Sequence, residues 1–210
     1  MTIEETQKRI REDDSFVMGE LLKLQELFKM KKVIRYHHTR EEVIDTESVA
    51  EHVYGMMVLI DYFLPLEQTG VWDSEKIFKT ALYHDIDEIL TGDRIGYLKT
   101  QSDRENEKAT QQKVVGSLPL SIQNKVNDLL NQYDEQATIE ARFTRAIDKI
   151  EPLFHLINDN GKKICFGTGV TLSQSKSIKD KYVKDFPYIK RFNEVLTDHM
   201  IKGGYFAPEQ

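Results

Sequence analysis

Residues 77–93, IFKTALYHDIDEILTGD, carry the pattern on which the reading of the fold turns. Ile77, Phe78, Ala81, Leu82 and Ile89 recur at helical spacing. The segment therefore predicts one amphipathic helix, opened by Asp73 as N-cap and closed near Thr91-Gly92. At the helical step of about 100° per residue, Asp85 falls near the middle of the apolar stripe, with His84 and Glu88 on the same face. An ionised carboxylate aimed into a core costs several kcal/mol unless a cation or charge-assisted hydrogen bonds compensate it. A divalent metal with an imidazole as co-ligand is one compensation. A shifted helix in which Asp85 pairs with a lysine or arginine is the other.

Working outward, a second helix starts at Thr46 or Ser48, either of which can cap it. Its stripe is Val49, Val53, Met56, Met57, Ile60, Phe63 and Leu64, and Pro65 with Gln68-Thr69-Gly70 is expected to end it. His52 lies at the edge of that stripe and gains weight only from His84-Asp85 on another helix. Upstream, residues 15–30 read as an amphipathic helix and Lys31–Asp45 as a polar connector. Downstream come two more polar helices (103–117 and 120–133) and a long one, Thr138–Asn158. A glycine-containing stretch, 158–173, reads as a surface loop, and two helices, 174–184 and 187–201, close the chain. No sustained period-2 alternation, hairpin dipeptide or internal repeat interrupts this pattern. The expectation is an all-α single domain over 13–201, with a fraying polar tail at 1–12 and a second tail at 202–210.

Composition narrows the function classes. The 210 residues are 40% hydrophobic and 30% charged, enough for one domain with a real core. The net charge of −6 argues against binding to polymeric nucleic acid, which relies on basic patches, but admits a small anion held by a few cations. No apolar run approaches the ~20 residues of a membrane helix, and MTIEETQKRI has no apolar core of a secretory signal. No membrane association is therefore expected. The single cysteine, Cys165, excludes an internal disulfide and a thiolate-rich metal site, and it fits a reducing, cytoplasmic setting. Any metal must be held by nitrogen and oxygen.

The ordered motifs Glu47-Ser48-Val49-Ala50-Glu51-His52, Tyr83-His84-Asp85-Ile86-Asp87-Glu88 and Thr91-Gly92-Asp93 are followed by Ala146-Ile147-Asp148-Lys149 on the long helix. Together they resemble the HD superfamily of metal-dependent phosphohydrolases, and more narrowly its 5′-deoxynucleotidase branch. The similar region runs from about Arg35 to Leu156. The resemblance implies an HD-type helical domain whose metal site lies between three core helices, with His52, His84, Asp85 and Asp148 as ligands. Helical spacing alone puts Asp148 on the far side of its helix from the stripe, so that helix must be buried on both sides. The resemblance further implies Glu88 and Asp93 as catalytic acids and Arg35 with Tyr36 as substrate-binding residues. Arg40 rivals Arg35 for the phosphate, because the connector differs in length from the family's.

The implied reaction is removal of phosphate from a small nucleotide, a (deoxy)nucleoside 5′-monophosphate. The implied cofactor is one divalent ion. A mixed histidine–carboxylate set accepts Mn, Co, Fe, Ni, Zn or Mg. Two alternatives stand beside it, a nucleoside triphosphate triphosphohydrolase on the same scaffold and a non-catalytic nucleotide-binding regulator. Homologous enzymes also imply a homodimer, although no surface seam in the sequence marks one.

Overall fold

The computed structural model describes residues 1–13, 15–16, 19–20, 22–23, 28–35 and 46–209, and it is all-helical as expected. Ten α-helices are defined among them: α1 Ile3–Glu12, α2 Val49–Glu67, α3 Ser74–Tyr83, α4 Glu88–Thr91, α5 Gln101–Ser117, α6 Leu120–Glu135, α7 Ile139–Leu156, α8 Asp159–Thr168, α9 Leu172–Val183 and α10 Pro187–Lys202. Short 3₁₀ turns lie at Phe28–Lys32 and Gly96–Leu98. Helical backbone also occurs at 15–16, 19–20 and 22–23, inside the helix expected over 15–30. Tyr36, His37, His38 and Arg40 lie outside the described residues.

The centre of the molecule is α7, which touches α2, α3, α6, α8, α9 and α10. Phe143, Ala146, Ile147, Ile150 and Leu153 are buried on it, and so are the polar Thr144, Asp148 and Glu151. Enclosed on several sides, the helix buries Asp148 as well as its apolar stripe, which meets the condition set by the sequence. By length and mean hydropathy (1.2) α2 is apolar enough to cross a membrane. Its Met56, Ile60 and Phe63 are instead fully buried in the same core as α7.

Several sequence expectations need correction. The polar residues 1–12 form a capped helix, because Thr2 and Glu5 each accept the other's backbone N–H and so satisfy two donors that would otherwise be orphaned. Pro65 does not end α2. The proline removes one ladder bond, yet the helix continues to Glu67, whose buried carboxylate accepts the Ile189 amide at 2.7 Å and ties α2 to the start of α10. The helix expected from Asp73 to Gly92 is broken. After Tyr83 the backbone tightens to three-residue bonds, with the Ile86 amide on the Tyr83 carbonyl and the Glu88 amide on the Asp85 carbonyl, both at 3.1 Å. The break lets Ile86 enter a second small core with Val114, Leu118, Val126 and Leu130, while α3 stays in the main one.

The expected surface loop at 158–173 is mostly helix α8, capped by Asn158, with Ile164 and Cys165 buried in the main core. Its three glycines misled the reading. Gly169 sits at positive φ as the helix's C-terminal cap. Gly161 is forced by crowding, since an added Cβ would stand 1.9 Å from the Leu156 carbonyl oxygen. The stretch 202–210 is likewise no free tail. Tyr205 is buried, the Ala207 amide bonds the Val170 carbonyl at 2.9 Å, and Glu209 accepts from the backbone and hydroxyl of Ser173.

The α7–α8 corner gives a stability test. Gly161→Ala cannot be accommodated by a rotamer change, because the obstacle is backbone. Urea unfolding should show a loss of at least about 2 kcal/mol, whereas Gly167→Ala, where nothing lies within 4 Å, should be neutral or stabilising by up to about 1 kcal/mol.

Candidate metal centre

Three separate stretches converge beside α7. Residues 33–35 pair with 47–49: the Arg35 amide donates to the Glu47 carbonyl and the Val49 amide to the Val33 carbonyl, each at 3.0 Å. That pairing sets Arg35 next to Glu47 and starts α2, whose Ser48–Glu51 capping box lies one residue before His52. The α3–α4 break presents His84 and Asp85, and α7 presents Asp148 from the other side.

The tautomers of both imidazoles follow from their partners. His84 Nδ1 lies 2.9 Å from the Ala81 carbonyl oxygen, which can only accept, so the proton is on Nδ1. His52 Nδ1 lies 2.6 Å from Glu151 Oε2 and donates in the same way. Both Nε2 atoms are buried and, among the described residues, make no hydrogen bond of acceptable geometry. They face oxygen: Asp85 Oδ2 is 3.0 Å from His84 Nε2 and 4.0 Å from His52 Nε2, and Asp148 Oδ1 is 3.9 Å and 3.5 Å from the same two atoms. With both rings neutral, lone pair would meet lone pair. The other oxygen of Asp148, Oδ2, is already engaged, by the Tyr133 hydroxyl at 2.8 Å and Lys149 Nζ at 2.9 Å. Such a set is short of one cation. His52, His84 and Asp85 form a cluster able to hold a metal ion, their donor atoms lying within 4.8 Å of one another.

The electrostatics reflect that deficit. Burial and the nearby Arg35 push the His52 imidazole down, but Asp148 and Glu151 outweigh them and lift it to about 9. Burial pushes the Asp148 and Asp85 carboxyls up. Lys149 and the imidazoles hold Asp148 well below the usual range, and His84 does the same for Asp85. Glu88 goes the opposite way: burial first, then the neighbouring charges of Asp85 and Asp93, raise it well above an ordinary carboxyl. Its Oε2 is buried without a partner.

A cavity opens over the cluster. Arg35, Asp85, Glu88, Asp93 and Asp148 line one end, and Leu153, Leu156, Ile164, Val170, Met200 and Phe206 form apolar wall. Arg35 is held among carboxylates, paired with Glu47 and 3.6 Å from Glu151 and 3.9 Å from Asp93. A second hollow shares Asp85, Glu88 and Lys99 and is lined further by Arg104, Lys108, Arg145 and Lys181. Of the residues singled out in the sequence, His52, His84, Asp85, Glu88, Asp93, Asp148 and Arg35 come together here.

Sequence reasoning missed Glu151 and Gly55. Glu151 is one turn beyond Asp148, buried, and orients His52 from behind, the arrangement by which a carboxylate fixes an imidazole's tautomer. Gly55 is a glycine inside a helix, which normally costs about 1 kcal/mol. Here a Cβ would stand 2.5 Å from Glu151 Oε1. The usable signal was the pair of three-residue steps, His52 to Gly55 and Asp148 to Glu151, an unexplained glycine opposite an unexplained acid.

Comparison with known proteins agrees with this geometry. A family model described as HD domain matches residues 27–190. The 5′-deoxynucleotidase HDDC2 of Xenopus laevis is 27% identical over 131 residues, 61% of this chain and 63% of that protein. Its counterpart in Dictyostelium discoideum is 30% identical over 129 residues, 59% of this chain and 68% of the relative. The 5′-deoxynucleotidase YfbR of Escherichia coli O127:H6 is 28% identical over 125 residues, 54% of this chain and 62% of the relative. The match to the Xenopus and Escherichia proteins thus spans less than two thirds of their length. A solved structure described as a predicted metal-dependent phosphohydrolase from Magnetospirillum magnetotacticum MS-1 superposes with a TM-score of 0.76 at 22% identity, over 91% of this chain and 98% of that one. It shares the fold.

The Gly55–Glu151 contact predicts an inverted helix-propensity effect. Gly55→Ala should destabilise by about 1–3 kcal/mol in urea unfolding instead of stabilising. Made on a Glu151→Ala background, the same change should become neutral or stabilising. An equal penalty on both backgrounds would clear Glu151 as the cause.

Proposed function

Because the chain belongs to the HD domain family, we propose that it is a metal-dependent phosphohydrolase acting on nucleotides, its substrate a (deoxy)nucleoside 5′-monophosphate. The observation that carries the reading is the pair of buried, unpartnered imidazole nitrogens facing Asp85 and Asp148 at one end of a cavity. The names of the relatives support the nucleotide substrate.

In this reading His52, His84, Asp85 and Asp148 hold one divalent ion, and nitrogen with carboxylate oxygen suits Mn, Co, Fe, Ni, Zn or Mg. Such an ion supplies Lewis acidity toward a phosphoryl oxygen. The chain's own residues do the rest. Arg35, kept in place by Glu47, offers a planar cation to the phosphate. Glu88, whose carboxyl burial and its acidic neighbours raise well above the usual range, gives a proton to the ester oxygen as water adds to phosphorus and the P–O bond breaks. Asp93, at the cavity wall, accepts hydrogen bonds from water or from the sugar. Glu151 and the Ala81 carbonyl keep both imidazoles in the tautomer that leaves Nε2 open.

One observation favours a second reading, a triphosphohydrolase. Lys99, Arg104, Lys108, Arg145, Lys149 and Lys181 line the adjoining hollow, a cationic set that the sequence pattern did not reveal. Asp87, Glu107 and Asp134 line it too and offset much of that charge. Product analysis separates the two, since a monophosphatase releases inorganic phosphate and a triphosphohydrolase releases triphosphate.

Asp85→Ala and His84→Ala should each lose both bound metal and turnover, read by metal analysis of purified protein alongside phosphate release. Glu88→Gln should keep metal and fold while kcat falls roughly 10²–10⁴-fold, the usual cost of a lost general acid. Arg35→Ala should keep the metal and lower kcat/KM at least about tenfold, with Arg35→Lys short of full recovery. Wild-type turnover by Glu88→Gln, or full metal content in Asp85→Ala, would reject these roles.

A further inference from the structure

Lys179 on α9 is a cation that the reaction described above does not use. It is 8% exposed and lines the same cavity as Arg35, Asp85, Glu88 and Asp93. Its ammonium donates to the Ser175 hydroxyl at 2.8 Å, and among the described residues no other side chain accepts from it. An ammonium has three N–H bonds and no acceptor. A buried charge with one neutral partner costs several kcal/mol, and burial with the nearby charge of Lys149 depresses the amine to about 8. Asp180 relieves it only in part, since its carboxylate accepts from Asn193. Nothing in the packing requires a cation here, where a methionine would fill the space without penalty. The walls beside it are Leu153, Leu156, Ile164, Val170, Met200 and Phe206. They suit the faces of a flat heterocycle and would leave a phosphate unsolvated.

We propose that Lys179, with Ser175, is the base-reading end of the substrate cavity, and that it selects nucleotides whose base carries an oxo group at purine position 6 or pyrimidine position 4 over those carrying an amino group there. A donor-only ammonium matches the O6 and N7 acceptors of guanine and the O4 acceptor of thymine or uracil. It meets donor against donor at the exocyclic amino groups of adenine and cytosine. Ser175, whose hydroxyl accepts from Lys179, keeps its own O–H to give to the same base edge. The inference rests on the nucleotide reading of the site and adds to it a choice of substrate.

The test compares wild type with Lys179→Met, using the metal-loaded full chain and the 5′-monophosphates of thymidine, deoxyuridine, deoxyguanosine, deoxyadenosine and deoxycytidine. A hydrogen bond to a charged group corresponds to a preference of about 10- to 100-fold in kcat/KM for the three oxo bases, expressed in KM. Lys179→Met should erase that preference, changing the deoxyadenosine substrate less than about threefold, with thermal stability equal to or above wild type. Loss on all five alike, or no base preference in wild type, overturns the proposal. Phosphate-free nucleosides keep it separable from the catalytic reading. If no nucleotide is turned over, thymidine and deoxyguanosine should still raise the wild-type melting temperature, deoxyadenosine should not, and Lys179→Met should lose the effect. Nucleosides that shift neither protein, or inorganic phosphate that shifts wild type but not Lys179→Met, would sink the base assignment.

Discussion

Two imidazole nitrogens stripped of partners and turned toward two carboxylate oxygens, at 3.0–4.0 Å, are the constraint on which the rest of this molecule depends. With both imidazoles neutral the contact is repulsive, and the neighbouring groups hold it. The Ala81 carbonyl and Glu151 hold the imidazoles by their outer nitrogens, and Tyr133 and Lys149 hold Asp148 by its outer oxygen. Each group is thus secured on the side away from the centre, and the inner side is left for a ligand. The break between α3 and α4 serves the same end. It anchors Ile86 in the second core while His84 and Asp85 face α7.

The polarity of the cavity follows from which helices line it. Around α2 and the α3–α4 break lie carboxylates and Arg35, a setting for charge. Along α8, α9 and the C-terminal segment the lining is aliphatic and aromatic, with Lys179 as its buried cation. A phosphorylated substrate has the same division, an anionic end and a flat, weakly polar one. The likeness between cavity and ligand is therefore one of layout as well as of residue type.

Much of this was legible in the sequence, and the failures have physical causes. Helical periodicity found α2, α5, α6, α7 and α10, because each buries a stripe that repeats every three or four residues. Periodicity could not see the interruption at His84–Asp87, since no glycine or proline marks it and Ile86 and Ile89 continue the apolar count. Asp85 was singled out for lying in a helical stripe; it lies in a turn instead, half-buried beside His84. Asp148 was invisible to spacing because a helix packed on several sides has no single stripe. Glycine in α8 was read as flexibility when at Gly161 it answers backbone crowding. Glu151 went unnoticed because a carboxylate that orients another side chain carries no pattern of its own.

The donor atoms come from residues 52, 84, 85 and 148, so 96 positions (148 − 52) separate the first from the last. On a ribosome adding roughly 5–20 residues per second, His52 leads Asp148 by roughly 5–20 seconds. Glu151, which must hold His52 in its working tautomer, is made three residues after Asp148. Throughout that interval His52 lacks the carboxylate that orients it, whereas His84 already has the Ala81 carbonyl. The last donor is thus supplied by α7, the helix at the centre of the main core, and the ability to capture a cation matures together with the fold.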